Sequence, residues 1–142
     1  MANKIYPLWA QEIMKGTAAN VLNLADGATT GVFCALIDTG TYTYNTAHQF
    51  YSSLTGEVGT AQEITTKTQT AGVFDGADLT YTAVTGNSVE ALVLFRKTAG
   101  ANTTWPLIAY LDTSVTGLPV TPNGGNITIT WNASGIFKLD NN

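Results

Sequence analysis

Apolar and polar residues along this chain fall into short blocks separated by glycine, proline and Asp-Gly or Asn-Gly steps, and most blocks read as β-strands. Gly31–Asp38 is apolar almost without interruption, which predicts a strand covered on both faces. In 79–84, Leu79, Tyr81 and Ala83 share one side and threonines the other, the period of two expected of a half-buried strand. Val89–Phe95 puts Val89, Ala91, Val93 and Phe95 on one face and Leu92 and Leu94 on the other, as in a central strand. Pro106–Asp112 predicts a further buried strand, with the proline tolerable only at its start. Ile127, Ile129 and Trp131 alternate with Thr128 and Thr130, and 136–139 predicts a short closing strand. The threonine-rich stretch Glu63–Thr70 has few apolar positions and is expected at an edge or on an exposed face. Thr41–Tyr44 alternates and reads as strand or extended loop, and 21–24 as a short strand before the Asp26-Gly27 turn.

Helical pattern is confined to the first third. Pro7 suits a first helical position, Trp9 and Ile13 lie one turn apart, and Gly16 can end the helix, so 7–15 predicts a short helix. Thr46–Leu54 predicts a second one, capped by Thr46 with Phe50 and Leu54 on one face, after which Gly56 and Gly59 break the chain. Many short strands with one or two short helices near the start argue for a mainly β fold, an antiparallel sandwich or barrel. No internal repeat or domain boundary interrupts the 142 residues, so one domain is expected. Within it, 1–16 reads as an N-terminal arm with the short helix, 17–139 as the β-sandwich and 140–142 as a frayed tail.

Composition sharpens this picture in one respect. Only 11% of residues are charged, against about 25% in ordinary soluble domains. Polarity is carried instead by Thr, Ser, Asn and Gln, whose hydroxyls and amides are less costly to desolvate than ions. Such a surface suits a protein that lives in a large assembly. The net charge of −4 and six scattered basic residues exclude a polyphosphate-binding patch, so no nucleic-acid partner is expected. No stretch approaches the roughly 18 apolar residues of a membrane helix, and the N-terminus lacks the apolar core of a secretory signal. The expectation is a soluble protein made in the cytoplasm, with no membrane partner.

The chain offers little to chemistry. Cys34, the single cysteine, lies inside an apolar run and reads as a small buried hydrophobe. His48, the single histidine, sits beside Phe50 and Tyr51 and reads as a hydrogen-bonded structural residue rather than a base. Zinc would need more nitrogen or sulfur ligands than one His and one Cys supply. Asp75 and Asp78 could offer carboxylates to calcium but read as turn residues. Any two of Glu12, Asp38, Glu57, Glu63, Asp75, Asp78, Glu90 and Asp112 could meet as a glycosidase pair, yet nothing marks one. No catalytic, metal-binding or cofactor-binding residue is therefore expected, and no cofactor.

A family likeness rests on particular runs. They are 72–86 (GVFDGADLTYTAVTG), 91–95 (ALVLF), 107–113 (LIAYLDT) and above all the connection 117–125 (GLPVTPNGG) leading into 126–131 (NITITW) and 135–139 (GIFKL). With 1–6, 35–38, Tyr42-Thr43-Tyr44, His48 and Phe50, these runs resemble a family of small head decoration, or cement, proteins of tailed phages. The likeness covers most of the chain but does not extend to 16–30. It implies a jelly-roll-like sandwich on the outer capsid surface of the virion, bridging major-capsid-protein capsomers and associating with itself as a dimer or trimer on local symmetry axes. It implies no catalytic residues. The contacts expected for anchoring and self-association are Tyr6, Leu8, Trp9, Ile13 and Met14, which are very apolar for a chain end, together with Trp105. On that expectation, deleting 1–15 abolishes capsid binding without unfolding the β-domain. Two alternatives are a tail or baseplate component, and a carbohydrate-binding module that stacks sugars on an exposed Trp105.

Overall fold

A computed structural model describes residues 3–16 and 30–139. The expected strand at 21–24, its Asp26-Gly27 turn and the tail 140–142 lie outside them. The fold is a mainly antiparallel β-sandwich built from ten strands and one α-helix among the described residues. A five-stranded sheet dominates, in the order β1 (Lys4–Ile5), β8 (Leu107–Leu111), β7 (Ala91–Lys97), β2 (Gly31–Ile37) and β3 (Glu57–Glu63). Two smaller sheets complete it: β10 (Phe137–Lys138), β5 (Val73–Asp75) and β4 (Thr68–Thr70), and the ribbon β6 (Leu79–Tyr81) with β9 (Ile127–Ile129).

The apolar runs become the central strands because only there are both faces covered. Every residue of β2 and β8 is buried, as are the first five of β7. Register puts Phe33 opposite Phe95 and Phe95 opposite Leu107 on one face, with Ala35, Val93 and Tyr110 in the next row. Cys34, Leu94 and Ala109, then Leu36, Leu92 and Leu111, form the rows of the other face. The first face is roofed by aromatics from 42–51 and by Trp105; Tyr51 lies 4.5 Å from Phe95. The β6–β9 ribbon is tied to the main sheet through Tyr81, whose hydroxyl donates to the Cys34 carbonyl at 2.9 Å.

Helix α1 (Pro7–Met14) begins at the proline as expected, and it belongs to the core. Trp9 is fully buried and meets Phe137 edge-on at 6.0 Å; Phe137 in turn packs on Phe74. Tyr6, also fully buried, donates its amide to Ile108 and shares a hydroxyl–hydroxyl bond with Tyr42. The segment expected as an arm is thus β1 plus a helix clamped between sheets.

Four other expectations are corrected. The helix expected over Thr46–Leu54 is only a 3-10 turn, Tyr51–Ser53, because Phe50 bridges Pro106 and the flanking backbone bonds to 105–107, which holds it extended. Gly59 does not break the chain. It sits inside β3 at φ +72, where Val58 and Gln62 pair with Leu36 and Cys34, so three residues face Ala35 alone in a bulge. Glu63–Thr70 is not one strand: Ile64 dives into the core and Thr66 turns at φ +51 before β4 starts. Val89 is outside β7 and bridges Val120 instead. Thr41–Tyr44 is loop.

Candidate functional site

The six residues expected at an interface part company in the structure. Tyr6 and Trp9 are fully buried in the chain's own core and present no surface to a partner. Ile13 is half-buried against the same core and Leu8 is partly covered, while Met14 stands 82% exposed. Trp105 is half-buried. Its ring stacks on Phe95 at 6.0 Å and 10°, its indole N–H donates to Thr98, and the Lys97 ammonium lies over it at 5.3 Å. The same ammonium lies 5.2 Å from Phe33, so Lys97 caps an aromatic stack.

Single reactive groups are likewise absorbed into structure. Cys34 is fully buried, and burial pushes its thiol up to about 12, where little thiolate forms at neutral pH. His48 accepts or donates at Nδ1 to the Tyr42 hydroxyl at 3.0 Å, at the end of a chain that runs through Tyr42 to Tyr6. Asp78, expected to satisfy the amides of its own turn, instead accepts at Oδ1 the amide of Trp131, 53 residues away, at 2.9 Å. Among the described residues no three His, Cys, Asp or Glu side chains cluster as metal ligands would, and no helix is long and apolar enough to cross a membrane.

Two carboxylates share one region: Glu90 and Asp112 line both of two hollows beside the start of β7 and the end of β8. The first, about 340 Å³, is lined by Thr39, Thr43 and the tyrosines Tyr42, Tyr44 and Tyr110. The second, about 330 Å³, is walled by Ser114, Val115, Leu118 and Pro119. Glu90 sits just ahead of β7, where its Oε2 accepts the Thr39 amide at 3.0 Å and hydroxyl at 3.3 Å, and its Oε1 accepts the Ser88 hydroxyl.

Tyr110 on β8 stands at the floor. As a residue it is only 3% exposed. Its ionisation is pushed up, first by burial and then by the negative charge of Asp112, followed by Tyr42 and Glu90. The ring faces of this cluster are already occupied by one another: Tyr6–Tyr44 at 5.1 Å, Tyr44–Tyr110 at 5.6 Å and Tyr42–Tyr110 at 6.3 Å. What the hollows offer is therefore acceptor oxygens rather than open aromatic faces. Sequence spacing hinted at Tyr42 and Tyr44 through their alternation. Glu90, Tyr110 and Asp112 join them only through the pairing of Val93 with Tyr110 and the return of 112–119 past the end of β7.

A scan of protein-family models finds none that matches this chain, and no curated protein matches it.

Proposed function

We propose that this chain is a non-enzymatic structural protein of a tailed-phage virion, which decorates the outer capsid surface and cements neighbouring capsomers. The observation that carries the reading is the character of the exposed sheet surface. All of β4, Thr68-Gln69-Thr70, is exposed, and the outward pair of the β6–β9 ribbon is Thr80 opposite Thr128. These positions hold hydroxyls and an amide and no charge. Interface centres are depleted in charged groups because ions are costly to strip of water, whereas hydroxyls and amides re-pair readily. The resemblance of 72–86, 107–113, 117–131 and 135–139 to head decoration proteins points the same way.

Cementing asks for many modest contacts rather than one tight one. A shell repeats its sites, so modest affinity per copy suffices when copies also touch each other. The first test is co-sedimentation of the purified chain with capsid shells that lack it. Saturable binding at a fixed ratio to the major capsid protein supports the reading, and failure to sediment with any form of the shell removes it. Trp105, engaged by Phe95 and Lys97, gives no particular support to a carbohydrate-binding reading.

A further inference from the structure

We propose that Asn123 is a site of spontaneous deamidation, gated by the backbone bonds that tie Gly124 and Gly125 to Val84. The site lies in the connection that leads into β9 and does not depend on the decoration reading.

Three observations meet there. The chain holds a single Asn-Gly step, Asn123-Gly124, and both residues are exposed, as is Gly125 after them. Asparagine is a thermolabile residue, and its side-chain carbonyl is open to attack by the amide nitrogen of the residue that follows. Here that residue has no Cβ to obstruct the approach. Even a Cβ built on Gly124 would meet nothing beyond its chain neighbours nearer than a Thr85 methyl at 4.0 Å. The second observation is a donor in place: Asn123 Oδ1 accepts the Gly125 amide at 2.9 Å. Negative charge gathers on that oxygen as the carbonyl is attacked, and an N–H aimed at it stabilises the oxyanion. The third is that the attacking nitrogen is itself engaged. Gly124 N–H donates to the Val84 carbonyl at 2.8 Å, and Val84 N–H donates to the Gly125 carbonyl at 2.9 Å. Next to them the Asn126 Oδ1 accepts the Ala83 amide at 3.3 Å.

The reaction needs only water and a solvent base. The base takes the Gly124 amide proton, the nitrogen bonds to Asn123 Cγ, and the Cγ–Nδ2 bond breaks as ammonia leaves. Water then opens the cyclic imide at either carbonyl to give aspartate or isoaspartate, and nothing is oxidised or reduced. The imide nitrogen carries no hydrogen, so the Gly124–Val84 bond must open before the ring closes. The Asn123–Gly125 bond is local to the turn and outlasts an opening that detaches the turn from Val84. The Val84 pair therefore protects the folded chain, and each opening frees a turn already set for the reaction. The product puts a carboxylate on a surface poor in charge, and isoaspartate lengthens the backbone, which takes Gly124 and Gly125 out of line with Val84.

Incubation of the intact chain at mildly alkaline pH tests this, with peptide mapping by mass spectrometry and labelling by protein isoaspartyl methyltransferase. Asn123 is expected to gain the mass of an amide turned acid ahead of the exposed Asn45, Asn102 and Asn132. Its rate is expected to be about tenfold or more higher in urea than in the folded chain. In the folded chain that rate is expected to follow hydrogen exchange of the Gly124 amide, since both need the same opening. Gly125→Ala sets a Cβ 2.9 Å from Asn123 Oδ1 and displaces it. Deamidation of that variant, measured relative to Gly124 exchange, is expected to slow about threefold. A folded-state rate equal to that in urea removes the gate, and earlier modification of Asn45, Asn102 or Asn132 removes the site. An unchanged Gly125→Ala rate relative to exchange removes the part played by the Gly125 amide. Any of these overturns the inference, as does an Asn123 that stays intact in urea.

Discussion

The hydroxyls of Tyr6 and Tyr42 meet at 2.7 Å in the interior, although the residues are 36 apart in the chain. Tyr42 in turn reaches His48 Nδ1, so the N-terminal segment is bonded through the core to the loop that roofs the main sheet. An apolar chain end that looks like an anchor for something else is here an anchor for the fold.

The first prediction follows from that bond. Removing 1–15 deletes β1, the Tyr6 bonds and the fully buried Trp9, and is expected to unfold the domain rather than leave it intact. Trp9→Ala alone is expected to cost about 3–5 kcal/mol and Tyr6→Phe about 1 kcal/mol, read from urea denaturation. A truncated chain that keeps its unfolding transition would contradict this.

Alkali should act through the tyrosines. All six have their ionisation pushed upward, with burial the largest cause in each. A group whose folded pKa lies above its unfolded value lends stability that is complete below the unfolded value, about 10, and lost as pH rises past it. Phenolate absorbance near 295 nm is therefore expected to appear above pH 10, late and together with loss of structure. A tyrosine titrating near 10 in a folded chain would contradict it.

Asp38 should act at the other end of the scale. Its carboxyl is held below the usual range first by the Thr41 hydroxyl, then by Asn87 and the Gly40 amide. A lowered folded pKa gives stability present above the unfolded value, about 3.9, and lost as pH falls through the folded one. Asp38→Asn is expected to be less stable than the parent at pH 7, with the gap closing below about pH 4. Thermal melts of both proteins across that range check it.

The β4–β5 hairpin turns through Ala71 and Gly72, at φ +51 and +79, with Thr70 paired to Val73. Two-residue turns with both φ values positive favour Asn-Gly, and alanine is strained there. Ala71→Asn is expected to raise stability by up to about 1 kcal/mol. Gly72→Ala is expected to lower it, because a Cβ there would come within 2.7 Å of the Leu139 carbonyl. Melting temperatures that move in the opposite directions would contradict the turn geometry.

Legibility in the sequence divides along physical lines. β2, β7 and β8 stand out because continuous apolar runs bounded by turn residues have few other uses, and α1 because Pro7 and the spacing of Trp9 and Ile13 are local signals. The bulge at Gly59 and the 3-10 turn at Tyr51 are not local. They exist because Val58 and Gln62 pair with Leu36 and Cys34 of a strand some twenty residues earlier and because Phe50 finds Pro106 more than fifty positions later. Burial of Tyr6 and Trp9 escapes sequence reading for a similar reason: an apolar terminus looks the same whether it inserts into its own core or another's. The two hollows are the extreme case, since Tyr44, Glu90, Tyr110 and Pro119 share no motif and come to line them only through sheet register.

Cryo-electron microscopy of phage particles purified from cells that produce this chain tests the proposed capsid role most directly. Density that fits the five-stranded sheet and its two smaller partners on the outer capsid surface, bridging neighbouring capsomers, is the predicted result. The same fold found only in the tail or fibres, or absent from the particle, would contradict it.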